Sequence, residues 1–188
     1  MCRLNVFDFD NTIYDGDSSI DFYIFCLKRN PLLIRYLPIQ LYGMITYKLK
    51  IKNKEYFKEK YFSFLKGVKD INGEITRFWK LNINKIKYDM IKEKDRIVII
   101  SASPEFLLEP IKNNIHAEKI IATKVDKNSG KFLSKNCYGK EKVNRLDNEY
   151  KQYIIEEFYS DSKSDKFLAD LAKSSFLVKK KDIIEWDI

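Results

Sequence analysis

Two short apolar runs, residues 4–9 and 96–100, read as buried β-strands, and the stretch between them constrains the fold most. From about 21 to 87, apolar side chains recur at helical spacing among many lysines. Tyr56, Phe57, Tyr61, Phe64 and Leu65 show the pattern, and no strand signal interrupts it. A crossover between parallel strands needs a dozen or more residues, usually one helix. This stretch is far longer, so it predicts an all-helical insertion. The 188-residue chain then divides into a core, residues 1–13 and 88–188, and a helical cap, residues 14–87.

The rest of the chain alternates strand and helix. Residues 119–123 read as a strand, and Asn128-Ser129-Gly130 marks a hairpin turn within 124–132. Residues 140–153 read as a helix and 156–160 as a strand. A helix follows over 164–174, with Phe167, Leu168 and Leu171 on one face, and then a strand over 176–178. After the second strand, Ser101-Ala102-Ser103-Pro104-Glu105 reads as a helix start, with Ser103 as N-cap and Pro104 as the first helical residue. The fold class expected is α/β, a doubly wound parallel sheet carrying an inserted all-helical cap. Residues 31–45 are strongly apolar, but Arg35, Pro38 and Gln40 interrupt them and the run is short for a membrane span. It is expected to be a buried helix or hairpin of the cap, with no membrane partner.

Composition removes several chemistries. His116 is the single histidine, so no multi-histidine metal site exists. Cys2, Cys26 and Cys137 are odd in number and far apart, which argues against zinc ribbons and a disulfide framework. The start, MCRLNVFDFD, has no apolar core of a signal peptide, and the expected compartment is the cytoplasm. The net charge of +8 suits an anionic substrate but is ordinary for a lysine-rich protein, and no nucleic-acid partner is expected.

In an open α/β sheet, ligands gather at the carboxyl ends of the strands. The first strand ends in Asp8-Phe9-Asp10-Asn11-Thr12, the second in Ser101, and the fourth in Asp161-Ser162-Lys163-Ser164-Asp165. Lys142 lies just after Gly139, at the start of the helix before the fourth strand. Four carboxylates at one rim cannot all stay ionised without compensation, and carboxylates with water and phosphate suit Mg²⁺. Lys142 adds a fixed charge, Ser101 a hydroxyl, and the helix after Ser103 its N-terminal amides. Such a rim suits phosphoryl chemistry. Asp8 is the expected nucleophile and Asp10 the general acid and base.

The order of these segments resembles the haloacid dehalogenase superfamily, in the phosphoserine phosphatase-like subgroup with a helical cap after the first motif. Asp8-Phe9-Asp10-Asn11-Thr12 resembles the first motif and Ile99-Ile100-Ser101 the second. Lys142 resembles the third, and Asp161 with Asp165 the fourth. The resemblance implies a catalytic set of Asp8, Asp10, Thr12, Ser101 and Lys142. It also implies Mg²⁺ held by the side chains of Asp8 and Asp161 and the carbonyl of Asp10, with Asp165 orienting the metal's waters. It implies hydrolysis of a small phosphorylated metabolite through an aspartyl-phosphate. Phosphoserine itself is not specified. Where those phosphatases place a glutamate past the first motif, this chain has Tyr14-Asp15-Gly16-Asp17-Ser18. Ala102 and Ser164 stand where they carry Gly and Asn. Two other readings stay open: phosphoryl transfer to an alcohol from the same intermediate, and a non-catalytic module that binds phosphate or polyanions.

Overall fold

The computed structural model describes residues 2–180 and 182–186. Six strands form one sheet in the order β3-β2-β1-β4-β5-β6. The strands are β1 (Cys2–Phe7), β2 (Ile97–Pro104), β3 (Ala117–Thr123), β4 (Tyr153–Ser160), β5 (Ala172–Lys179) and β6 (Asp182–Glu185). The first five run parallel, and β6 pairs antiparallel at the edge. Alternate residues of the central strands feed two separate cores, as the two-residue period of a sheet buried on both faces requires. Phe7, Ile97 and Ile99 enter one core, and Leu4, Val6, Val98 and Ile100 the other. Phe7, Tyr159 and Phe176 are aligned in register across β1, β4 and β5. Their rings stack with centroids 4.7 and 4.8 Å apart.

Between β1 and β2 lie four helices: α1 (Ser18–Arg29), α2 (Leu37–Lys48), α3 (Lys54–Tyr61) and α4 (Ile71–Asn82), joined by short 3₁₀ turns. Asp17, Asn53 and Asp70 cap α1, α3 and α4 by accepting backbone N–H groups, which fixes where each begins. α1 and α4 pack onto the core that holds Phe7, and Tyr61 of α3 packs partly buried against it. Trp79 of α4 meets Phe9 and Tyr14 edge to face, and its Nε1 donates to the Leu107 carbonyl at 2.7 Å. The loop before the site is pinned to α3: Glu59 accepts from the Phe132 N–H at 2.9 Å and Glu55 from the Asn136 N–H at 2.8 Å. The hairpin turn is closed by a Val125–Phe132 bridge.

Several expectations need correction. No helix is capped by Ser103: β2 continues to Pro104, and α5 (Glu105–Leu108) is a single turn without a side-chain cap. The hydroxyl is engaged by Asp10 instead. α6 spans Lys140–Glu149 and stops before 153, where β4 has already begun. The helix expected over 164–174 is only a 3₁₀ turn and the one-turn α7 (Lys166–Ala169), because β5 claims the chain from Ala172. Leu168 is buried there, but Phe167 and Leu171 are half exposed. Strand β6 was not foreseen.

The largest departure concerns residues 31–45. They are helical, and among the described residues no helix is long and apolar enough to cross a membrane. Leu33 enters the core, yet most of their apolar side chains are not buried: Leu32, Ile34, Leu41, Tyr42 and Ile45 all face out.

Candidate active site

Strand β1 lies between β2 and β4, so the chain reverses its winding direction there and leaves a crevice at the carboxyl ends of β1 and β4. Asp8 follows β1, and its N–H donates to the Tyr159 carbonyl of β4 at 2.8 Å. Asp161 follows β4, and its N–H donates to Thr12 Oγ1 at 3.0 Å. The buried Thr12 hydroxyl therefore ties the two strand ends together. A cavity of about 340 Å³ opens above them. Asp8, Asp10, Ser101, Lys142, Asp161 and Asp165 all line it, so segments from both ends of the chain meet in one place.

Gly139, at φ +56°, turns the chain into α6, and Lys142 on its first turn points into the sheet end. Lys142 is 2% exposed. Its Nζ donates to Asp8 Oδ1 at 2.8 Å and to Asp165 Oδ2 at 2.6 Å. Burial works against this ammonium, but the Asp8 and Asp165 charges outweigh it and raise its pKa. Lys140, two residues earlier, is exposed. Asp165 Oδ2 also accepts from Ser160 Oγ at 2.8 Å, while its Oδ1 is buried with no partner. Burial raises the Asp8 carboxyl above the usual range, and Lys142 only partly offsets it. Asp161 and Asp165 are raised in the same way. The nearby Asp161 charge adds to the rise at Asp8.

Asp10 occupies a different environment. Its Oδ1 accepts the Ser18 N–H at 2.7 Å, and its Oδ2 accepts the Ser103 hydroxyl. Burial, then the nearby Asp17 charge, pushes it up to about 7. A carboxyl titrating near neutrality can both give and take a proton, as a general acid and base must. Ser101 is 1% exposed, and its Oγ accepts the Ser103 N–H at 3.0 Å. Among the described residues its hydroxyl donates to no acceptor, and Ser101 lines the cavity.

Two cavity residues escaped sequence reasoning. Ser103 carries a helix-cap signal, yet its hydroxyl holds Asp10. In the sequence Lys58 of α3 is one of many lysines in the helical stretch. It is partly buried, with Nζ 2.8 Å from the Ala102 carbonyl and 3.2 Å from Asn136 Oδ1. Burial and the neighbouring Lys54 lower it to about 8. Only its i+4 offset from Lys54 hinted that both could face one side. Asp17 lines the cavity but spends Oδ1 on the Ile20 N–H, capping α1.

No curated protein matches the chain. Its fold is similar to that of a Bordetella pertussis Tohama I protein of unknown function, at 19% identity and a TM-score of 0.76, covering 93% of this chain and 89% of that one. It is also similar to a phosphoserine phosphohydrolase-like protein from Francisella tularensis (15% identity, TM-score 0.58, covering 95% and 90%). A phosphoserine phosphatase in apo form is similar at 17% identity and TM-score 0.54, covering 93% and 85%. The family model of haloacid dehalogenase-like hydrolases matches residues 6–170, from within β1 past the loop that carries Asp161 and Asp165. The chain, with every cavity carboxylate inside that match, therefore belongs to the haloacid dehalogenase-like hydrolases.

Proposed function

We propose that the protein is a Mg²⁺-dependent phosphomonoester hydrolase that works through an aspartyl-phosphate on Asp8. The observation that carries this reading is the contrast between two carboxyls on one loop. Asp8 is held by the Lys142 ammonium, whereas Asp10 is held by two donors and titrates near 7. One is equipped to attack, the other to move a proton.

An Asp8 carboxylate oxygen attacks phosphorus as the ester P–O bond breaks. Protonated Asp10 gives its proton to the departing alkoxide. Asp10, now a carboxylate, takes a proton from water as that water attacks the acyl phosphate. The P–O bond to Asp8 breaks, releasing inorganic phosphate and restoring the Asp8 carboxylate. Lys142 and the Ser101 hydroxyl offset the charge on the phosphoryl oxygens. Thr12 keeps Asp161 in register with Asp8, and Ser103 aims Asp10.

The donor set fits Mg²⁺. Among the described residues no three His, Cys, Asp or Glu side chains form a full metal cage. The chain offers instead the facing Asp8 and Asp161 carboxylates and the Asp10 carbonyl, and Mg²⁺ keeps much of its shell as water and phosphate. Asp165, with its unpartnered buried oxygen, is suited to accept from metal-bound water. The bound cation supplies Lewis-acid stabilisation of the phosphoryl group. The cap, residues 14–87, covers the cavity from the α1–α3 side and presents Ile20, Phe57, Lys58 and Tyr61 to the leaving group.

A panel of small phosphate esters, assayed with Mg²⁺ and then with chelator, tests the reading. Turnover is expected with metal only. Asp8→Asn is expected to abolish it while leaving the melting profile intact. Full activity of Asp8→Asn would remove Asp8 as nucleophile.

A further inference from the structure

Helix α2 is inverted. Its side chains turned toward the protein are small or polar: Gln40, Gly43 and Thr46, spaced three apart. Gln40 accepts from Tyr23 OH at 2.9 Å and donates to the Tyr61 carbonyl at 2.8 Å. A Cβ on Gly43 would fall 2.6 Å from Lys60 Cβ, so this face is pressed against α3. Leu37, Leu41 and Ile45, spaced four apart, lie on the opposite side and are exposed. Around them Leu32 is 73% exposed, Tyr42 54%, and Leu49 and Ile51 64% each. A contiguous apolar surface of this kind is rarely left to water.

Charge identifies the occupant. Between Asp21 and Glu55 the chain has no acidic residue, but it has Lys28, Arg29, Arg35, Lys48, Lys50, Lys52 and Lys54. In 48–52, lysines alternate with the exposed Leu49 and Ile51. Arg29 is paired with Glu74 at 2.7 Å, but among the described residues Arg35, Lys48, Lys50 and Lys52 form no salt bridge, so a second copy docked face to face would set those cations against one another, which disfavours a dimer through this surface. An apolar face rimmed by lysine and arginine fits the interface of an anionic bilayer, with apolar side chains at the acyl boundary and cations among the headgroups. The surface is also continuous with the cavity wall. Tyr47 at the end of α2 stacks on Phe57, with centroids 5.6 Å apart, and Phe57 lines the cavity.

We propose that the exposed face of α2 and the lysine-rich segment after it form an in-plane docking surface for an anionic membrane, placing the cavity beside the lipid headgroups. Among the described residues no helix is long and apolar enough to cross the bilayer, so the proposed contact lies in the membrane plane and departs from the expectation of no membrane partner.

Vesicle flotation of the full chain tests this without any assay of turnover. Phosphatidylcholine vesicles containing phosphatidylglycerol are expected to carry the protein, and phosphatidylcholine alone at least about tenfold less. Leu41→Glu combined with Ile45→Glu is expected to cut binding about tenfold or more while the melting profile is kept. Should that variant fail to fold, Lys48→Gln, Lys50→Gln and Lys52→Gln together leave the apolar face intact and are expected to erase the preference for phosphatidylglycerol. The proposal is overturned by no flotation on either vesicle or by equal flotation on both. It is also overturned by binding that survives the variants, or by a dimer in sedimentation velocity that the paired glutamates dissociate.

Discussion

Lys142 Nζ lies 2.8 Å from Asp8 Oδ1, joining the first turn of α6 to the end of β1. With Asp165 at 2.6 Å on its other side, this ammonium sits between two carboxyls and is expected to serve the fold and the proposed chemistry together. Removing one member of a buried ion pair leaves uncompensated charge. Lys142→Met is expected to cost about 3–5 kcal/mol in urea unfolding. It is also expected to lower kcat about 10²–10³-fold, the scale of a lost charge-stabilising donor. Unchanged stability and rate would mean the pair contributes to neither.

Asp10, the proposed general acid, is expected to set the pH dependence of turnover. With its carboxyl at about 7, the protonated form needed by the leaving group is lost as pH rises past neutrality. For an alkyl phosphate, the rate is expected to fall on the alkaline side of about pH 7. An aryl phosphate leaves without help, so it is expected to show a flatter limb. Asp10→Asn is expected to suppress alkyl ester hydrolysis far more than the first step with aryl esters, read as a burst in rapid-mixing kinetics.

The same group shapes stability in the absence of metal. Asp10 is raised from 3.8 to about 7, so the folded chain holds a proton that the unfolded chain releases between those values. Its contribution is fully present below 3.8 and is lost as pH climbs through about 7. Asp8, Asp161 and Asp165 shift in the same direction. In chelator, Tm is therefore expected to fall between about pH 5 and 8. Mg²⁺ is expected to restore Tm at the upper end, and to do so poorly in Asp161→Asn. A Tm indifferent to Mg²⁺ would count against the metal site.

Lys58 is one of two cavity cations contributed by the helical insertion, beside Lys54. At about 8 it becomes neutral in mildly alkaline solution, so its hold on an anionic substrate weakens there. KM is expected to rise above about pH 8 with kcat little changed. Lys58→Met is expected to raise KM several-fold and remove that limb. Lys58→Arg is expected to keep binding at high pH.

Gly130 fixes how the hairpin meets the insertion. Its φ is +75°, and an added Cβ would lie 2.3 Å from the Phe62 carbonyl oxygen. Both the backbone conformation and the contact exclude a larger residue. Gly130→Ala is expected to destabilise by about 1–3 kcal/mol in chemical unfolding.

Much of this arrangement was legible in the sequence because parallel strands buried on both faces leave continuous apolar runs, and strand ends in this topology converge. Asp8, Asp10, Ser101, Lys142, Asp161 and Asp165 all reach one cavity for that reason. What failed was local. Ser103-Pro104-Glu105 carries a helix-start signal, but β2 pairing with β3 holds Pro104 opposite Thr123 and keeps the chain extended. Residues 172–174 lost their helical reading because pairing with β4 outweighs local propensity. Lys58 looked like any surface lysine, since only tertiary packing brings it to the Ala102 carbonyl. The apolar run at 31–45 was read as buried because hydropathy alone reports apolarity and not what covers it.

The covalent step can be observed directly. The enzyme is mixed with an ester substrate and Mg²⁺, quenched in acid during turnover and digested, and the phosphoryl mass increment is mapped by mass spectrometry. The increment is expected on the peptide that carries Asp8, and is expected to be absent in Asp8→Asn. A phosphoryl group found on another residue, or active turnover with none on the Asp8 peptide at any time point, would contradict an aspartyl-phosphate at Asp8.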